Sequence, residues 1–542
     1  MKKTIAFVLL ITLLFIQGCS TDFIDDFSLR IKPEIIDYSA QLEIIDEENP
    51  NSSLPNLTLS IVSRNSNDVF EISGAQSFQL VDGRIGIGLH PRANPDPSNP
   101  VTVRMKIQAD GYLDKIFEVV FSTDEKTQYV QIPMVNIANP PTGVQFNLGS
   151  ASLMSGALSQ PYTMNLNPAN GSTTGMSLTM PTGTQFFDRM GNPISGSQVD
   201  IQVGYFDADN ESSMDAFPGG FSADSISQSN GTGASGSFIT AGFTTMNMEI
   251  NGQEVKSFNQ PITVSMDISS NTVNPNTGMQ VQLGDVIPVW SYDETVGSWG
   301  FETDGTVTQG ANGLQVSYQT THLSWWNLDF YGQRCCGSTW NRVNGSWVYQ
   351  YLGPCANVTF SIPGWNVNDK GMFRVKVVYA GTNQVISYYA DKIYELYNGK
   401  TISYLGVPNF NVEIKVYRLS TGDLVGSSAI TTLCTGNIPL NLNLPQPTTI
   451  TFRVEGYCKD NNLIRINPSF WVYYRETDLL SNRWYQTLGY VSGGFGTTSS
   501  VEVGKTYDFR AYFNGRTIDT TATIDRLNYN IQLELGDFCN DF

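Results

Sequence analysis

Val101-Thr102-Val103-Arg104-Met105-Lys106-Ile107-Gln108-Ala109-Asp110 alternates apolar and polar side chains without a break. Side chains of a strand point to opposite faces in turn, so this pattern predicts a strand with one face in a core and one in water. The same period returns along the chain. Phe410, Val412, Ile414 and Val416 alternate with Asn411, Glu413, Lys415 and Tyr417, and Tyr507, Phe509, Ala511 and Phe513 precede Asn514-Gly515. Asn-Gly and Asp-Gly pairs favour the two-residue turns that join antiparallel strands, and Asp82-Gly83 leads into Ile85, Ile87 and Leu89 in the same way. Ile531, Leu533 and Leu535 close the chain on the same period.

Composition agrees. Charged residues make up 15% of 542, with 49 glycines, and no long stretch of strong helix formers appears. The fold class predicted is all-β, as tandem β-sandwich modules of immunoglobulin-like or transthyretin-like kind. A chain of this length holds several cores. The formal net charge of -19 repels phosphate backbones, so nucleic acid is not an expected partner.

At the N-terminus, Lys2 and Lys3 precede an apolar run from Ile5 to Ile16 interrupted only by Thr12, then Gln17-Gly18-Cys19. The run is short for a bilayer span, which takes about 20 residues, and has the basic and apolar parts of a secretory signal. A small residue directly before a cysteine at the end of such a run resembles the lipobox of bacterial lipoproteins. The resemblance implies a signal peptide over 1–18, with Cys19 carrying the lipid and a membrane contact made through it. Ser20-Thr21-Asp22-Phe23-Ile24-Asp25-Asp26 then resembles the surface-export signal of Bacteroidetes-type lipoproteins, which implies an outward-facing position on the outer membrane; the alternative is a short solvated tether over 19–28.

The modules expected are 29–135, a linker at 136–143 carrying Pro140-Pro141, then 144–330, 331–447 and 448–542. In the first, a strand, an Asp-Gly turn, a strand, Asp110-Gly111-Tyr112 and a closing Val-x-Ile-x-Met strand resemble transthyretin-like carboxypeptidase-regulatory domains. In the second, Met180-Pro181-Thr182-Gly183-Thr184, Gly191-Asn192-Pro193-Ile194-Ser195-Gly196 and Val199-Asp200-Ile201-Gln202-Val203 come first. They are followed by Val289-Trp290-Ser291-Tyr292-Asp293, Gly297-Ser298-Trp299 and Thr321-His322-Leu323-Ser324. That series is similar to ZU-five-type β domains, with Leu323 standing where the family has Phe and 207–237 reading as an inserted loop. The resemblance implies a non-enzymatic sandwich used for interaction.

Six cysteines remain after Cys19: Cys335, Cys336, Cys355, Cys434, Cys458 and Cys539. An even number in an exported chain predicts up to three disulfides. Cys335 and Cys336 are expected to bond to different partners, and Cys458 to pair with Cys539. No cysteine or histidine spacing matches a zinc site.

Three constellations offer chemistry. In some ZU-five-type domains a His-Leu/Phe-Ser/Thr turn cleaves itself. By that resemblance His322 would be the base, Ser324 the nucleophile and Leu323–Ser324 the broken bond. The plainer reading, which is preferred, makes His322 a hydrogen-bonded strand residue and Ser324 a packing position. Asp207, Asp209 and Asp215, with Glu211 between, cluster oxygen ligands that could hold a structural calcium, against an acidic solvated turn. Trp325, Trp326, Trp340 and Trp347, with Trp365 beyond, could stack on sugar rings or pack in cores; adjacent tryptophans in a strand point to opposite faces, which favours the core for at least one. Asp224-Ser225-Ile226 and Asp519-Thr520-Thr521 match a short O-glycosylation pattern of Bacteroidetes-type exported proteins. No nucleophile elbow, zinc-protease or phosphate-loop motif is present.

The sequence therefore predicts a lipid-anchored, surface-facing rod of about four β-sandwiches with no catalytic role toward an external substrate and no cofactor. Its expected function is interaction with, or structural support of, other envelope proteins. A glycan-binding lipoprotein of an uptake system is the alternative.

Overall fold

The computed structural model describes residues 36–534 apart from short internal stretches, the longest being 459–464 and 478–485. Among the described residues 59% lie in strands and 2% in helices, as the period of two predicts. In the first unit a four-stranded sheet runs in the order Val69–Glu71, Arg84–Leu89, Ser39–Asp46, Thr127–Met134. A three-stranded sheet of Thr58–Ile61, Val101–Gln108 and Lys115–Phe121 faces it. Val103, Met105 and Ile107 point into the core between the sheets with Leu42, Ile44, Ile87 and Phe121, while Arg104 and Lys106 stay at the surface. The alternation of the opening stretch thus becomes one buried face of a sandwich. Asp82 and Gly83 turn the chain with φ of 47° and 76°, and Val81 pairs with Arg84 across them. Two successive positive φ angles match the right-handed twist of the flanking strands, which is why Asp-Gly suits this turn.

The second unit, 144–333, is built on one 14-stranded sheet, with a small ladder of Val273–Asn274 and Met279–Gln280 beside it. It folds over so that Val144–Met154 meets Tyr162–Leu166, with Asn147 Nδ2 donating to Asn165 O at 3.1 Å. Aliphatic residues such as Leu178, Val203, Ile262 and Val264 fill one side. The other side is aromatic: Phe206, Phe217, Phe238, Phe243, Trp290, Trp299 and Trp325. Its central strand, Gly233–Ile250, is buried on both faces over its first fourteen residues. The stretch 207–237, expected to be an inserted loop, instead holds the one-turn helix Glu211–Met214 and the strand Ser222–Ser227. It also sends Phe217 and Phe221 into the aromatic core. Small and polar residues around those two rings conceal the pattern in sequence.

The third unit opens with the hairpin Gly337–Val343 and Ser346–Gly353. A sandwich follows, with Thr401–Ser403, Asn357–Ser361 and Asn437–Asn441 in one sheet. Asp391–Leu396, Gly371–Tyr379, Val412–Arg418 and Leu424–Ser427 form the other. Its core is continuous with the aliphatic side of the second unit, from Ala151 to Leu444. The fourth unit pairs Ile450–Tyr457 with Arg465–Ile466, Phe495–Thr498 and Asn528–Glu534. Its second sheet orders Gln486–Val491, Phe470–Glu476, Thr506–Phe513 and Arg516–Thr523. The ladder of the last two strands runs up to Phe513 and Arg516, the register of a two-residue hairpin.

The units do not line up as a rod. The first unit meets all three others: Lys115 faces Asp215 of the second, Lys392 Nζ of the third donates to Gln128 Oε1 at 2.9 Å, and the Arg84 guanidinium lies 5.2 Å from the centre of the Tyr473 ring of the fourth. Thr517 Oγ1 donates to Asp82 Oδ2 at 3.2 Å. The segment around Pro140-Pro141 is held to the second unit rather than swinging free. Asn170 Nδ2 donates to the carbonyls of Pro140, Pro141 and Val144 at 3.0, 2.7 and 3.0 Å. One side-chain amide therefore fixes the direction in which the chain leaves the first unit.

Two disulfides staple the third unit, Cys335–Cys434 and Cys336–Cys355. The neighbouring cysteines take different partners, as expected. Cys458 is also disulfide-bonded. Cys539, its expected partner, lies outside the described residues, as do Cys19 and the segment 19–28. Among the described residues no helix is long and apolar enough to cross a membrane.

Candidate functional site: the junctions between β units

The strand Gly233–Ile250 changes neighbours part-way along one edge. Ser222–Ser227 pairs with it up to Ser237, and Gln198–Phe206 takes over at Phe243. On its other edge the register with Trp325–Gln333 shifts between Thr240 and Phe243. Such a shift accommodates extra residues as a bulge. Gly242, with φ of 134°, supplies a backbone conformation that other residues rarely adopt. Backbone groups left without a strand neighbour must find another partner when buried. Phe238 N finds Phe221 O at 2.9 Å. The remaining pair is met by Gln384, from the third unit: Thr240 N donates to Gln384 Oε1 at 2.9 Å, and Gln384 Nε2 donates to Phe238 O at 2.7 Å. Gln384 is 3% exposed.

Beside this bond sits a buried polar group. The Thr240 hydroxyl donates to Asn327 Oδ1 at 2.7 Å and accepts from Gly242 N at 3.0 Å. Asn327 and Asp329 are both fully buried. Neither the Asn327 amide nitrogen nor either Asp329 carboxyl oxygen completes a hydrogen bond among the described residues. Burial pushes the Asp329 carboxyl far above the usual carboxylate range, and the neighbouring Thr240 hydroxyl only partly opposes this.

A charged junction joins the second and third units. Arg374, on Gly371–Tyr379, grips Asp391 with two hydrogen bonds of 2.6 and 2.7 Å. Lys376 on the same strand stands between Asp391, at 3.6 Å, and Glu211 of the one-turn helix, which it contacts directly. Burial alone would raise the Asp391 carboxyl; Arg374 and Lys376 outweigh it and hold the group below the usual range. Nearby, burial raises Glu47 of the first unit to about 8 and lowers Lys115, whose ammonium donates to Pro133 O at 2.7 Å.

The three expected carboxylate ligands diverge. Asp207 is 1% exposed, accepting from the Ser172 hydroxyl at 2.5 Å and from Asp209 N at 2.9 Å. Asp209 accepts from Asn271 Nδ2 at 3.0 Å and from Ser269. Asp215 faces Lys115 instead. No three carboxylate, histidine or cysteine side chains converge as a metal site among the described residues. The calcium expectation is corrected on that ground: Asp207 and Asp209 spend oxygens on separate hydrogen bonds, and Asp215 faces a lysine of the first unit.

His322 and Ser324 also face apart. His322 Nε2 lies 3.3 Å from Glu302 Oε1, and its ring packs 4.9 Å from Trp326. The Ser324 hydroxyl donates to Tyr292 O at 2.7 Å and accepts from Tyr292 N at 3.1 Å, tying two strands together. The base and nucleophile of a self-cleaving turn would have to face each other; here each has another partner. Trp325 and Trp326 are 5% and 1% exposed, on opposite sides of one strand in two different cores, and Trp365 is buried as well. These three serve packing, not sugar stacking. The side chains of Trp340 and Trp347 lie outside the described residues, although their backbones pair within the hairpin of the third unit.

Gln384, Thr240, Asn327 and Asp329 were not anticipated from sequence. The one available signal was Asn327 and Asp329 at alternate positions of an apolar strand, which reads as a solvated face. Here that face turns inward.

The family described as FAM171A1/A2/B, N-terminal, matches residues 185–330, a stretch that includes Thr240, Asn327 and Asp329. No curated protein matches the chain. Among solved structures, a streptococcal ancillary pilin is 12% identical, with 47% of this chain and 93% of that one covered at a TM-score of 0.13. The minor pilin GBS52 of Streptococcus agalactiae is 9% identical, covering 33% and 94% at 0.14. BcpA, the major pilin subunit of Bacillus cereus, is 9% identical, covering 75% and 99% at 0.12. At these values the likenesses carry no argument about partners or activity.

Proposed function

We propose that this chain is a lipid-anchored protein of the cell envelope, held at the outer membrane through Cys19 and facing outward, where it acts as a non-enzymatic interaction or structural module. The observation that carries the reading is the use to which its polar side chains are put. Gln384, Lys376, Arg374, Glu211 and Lys392 each join one β unit to another. β units tied together in this way form a stiff body, suited to presenting surfaces at a fixed distance from a membrane. The first unit, which follows the proposed anchor in sequence, touches the other three.

The test is fractionation and surface labelling in whole cells. Wild type is expected in the membrane fraction and labelled by an impermeant reagent in intact cells. A Cys19→Ser variant is expected as soluble protein or uncleaved precursor. A Cys19→Ser chain that still fractionates with membranes as a processed form would overturn the anchor. Labelling of wild type only after the outer membrane is opened would overturn the outward position.

A further inference from the structure

We propose that Thr240 and Asn327 become joined by a side-chain ester, which ties the strand Gly233–Ile250 covalently to Trp325–Gln333 within the second unit. This goes beyond the envelope reading and does not depend on it. A buried hydroxyl, a side-chain amide and an unpartnered carboxyl meet at the register shift between the two strands. The hydroxyl already lies on the amide group, 2.7 Å from Oδ1, and Gly242 N at 3.0 Å fixes the orientation of its oxygen. The prior ordering of reacting groups is what makes an intramolecular acyl transfer feasible between otherwise weak partners.

In the reaction Thr240 Oγ1 attacks the Asn327 side-chain carbonyl carbon. Its proton passes by way of the Asp329 carboxyl to the departing nitrogen. The C–N bond breaks, the Oγ1–C bond forms, and ammonia leaves. No oxidant or other reactant is consumed. Asp329 is paired with Thr240 in the strand register and has no other polar partner for its carboxyl oxygens among the described residues. The Asn327 nitrogen, which must leave, is likewise unbonded. Thr240 lies two residues beyond Phe238, and Asn327 and Asp329 lie two and four beyond Trp325, so by strand alternation all three are buried on the aromatic side of the sheet. Exclusion of water there protects an ester from hydrolysis once formed.

The test is the mass of the purified full chain after reduction, followed by tandem mass spectrometry of its peptides. The expected result is a deficit of about 17 Da, the mass of the ammonia lost in acyl transfer. It should be carried by a linked pair of peptides containing Thr240 and Asn327, which separates in mild alkali to leave an aspartate at position 327. Full mass with both residues in unlinked peptides would overturn the proposal. Thr240→Val and Asp329→Asn, each checked for folding by circular dichroism, should restore the full mass. Retention of the deficit by Thr240→Val would overturn the assignment of the bond, and retention by Asp329→Asn would overturn the role of the carboxyl.

Discussion

Gln384 stands against Thr240 as though it were one residue of a neighbouring strand, taking the Thr240 N–H at 2.9 Å while returning a hydrogen bond to Phe238 O at 2.7 Å. A side-chain amide has the same donor and acceptor as a peptide group, so it can complete a ladder where the backbone partner changes. A sequence separation of 144 between Thr240 and Gln384 makes this a long-range bond that couples the second unit to the third.

Removing the Gln384 amide leaves a buried N–H and a buried C=O without partners. Each such group costs about 1–3 kcal/mol when stranded. Gln384→Ala is therefore expected to lower unfolding stability by about 2–4 kcal/mol, counting partial rescue by water in the space left behind. Urea unfolding of the purified chain measures it. A midpoint unchanged from wild type would show that the third unit docks without this bond.

The two disulfides of the third unit close loops of different length, 99 residues for Cys335–Cys434 and 19 for Cys336–Cys355. The chain-entropy account assigns about 4.7 kcal/mol to a loop near 100 residues and about 3 kcal/mol to one near 15. Cys434→Ser should thus lower the melting temperature more than Cys355→Ser. Calorimetry on the two single variants decides the order, and the reverse order would mean that strain or denatured-state structure outweighs loop length here.

The units differ in how much of their fold is readable in sequence. Val103, Met105 and Ile107 sit in a sandwich with one wet face, so their period of two survives intact. The second unit buries both faces of Gly233–Ile250, and the alternation vanishes into a run of small, aromatic and hydroxyl residues that fits no simple pattern. The polar site was hidden by the same cause. Thr240, Asn327 and Asp329 look like solvated positions until the sheet folds over them. The Asp207–Asp215 cluster misled in the opposite way, since nearness in sequence gave no sign that Ser172, Ser269 and Lys115 would draw the carboxylates apart.

Asp391 gives the charged junction a pH dependence with a definite sign. Its carboxyl is held below the usual range in the folded chain, so the folded state favours the ionised form. The stabilisation is complete above the unfolded value, about 3.9, and disappears as pH falls through the folded value. Asp391→Asn should destabilise the chain at pH 7, with the gap to wild type narrowing in acid. Stability measured on both chains from neutral to strongly acidic pH tests this. A gap constant with pH would mean that packing, not the charge on Asp391, accounts for the loss.

His322 carries the opposite sign. Its hydrogen bond to Glu302 lifts the imidazole above its ordinary value, against the smaller effect of burial. Stability from this pair is present in full below the unfolded value, about 6.5, and is lost as pH rises through the folded one. A histidine engaged by Glu302 is also not placed to act as base for Ser324, whose hydroxyl is held by Tyr292 O at 2.7 Å. Both facts point to an intact Leu323–Ser324 bond. Purified protein is expected to run as a single full-length band on a denaturing gel. His322→Gln should remove this pair's share of the stability lost as pH rises through neutrality, without changing the band. Two fragments meeting between Leu323 and Ser324, abolished by His322→Gln, would show that the turn rearranges to bring base and nucleophile together.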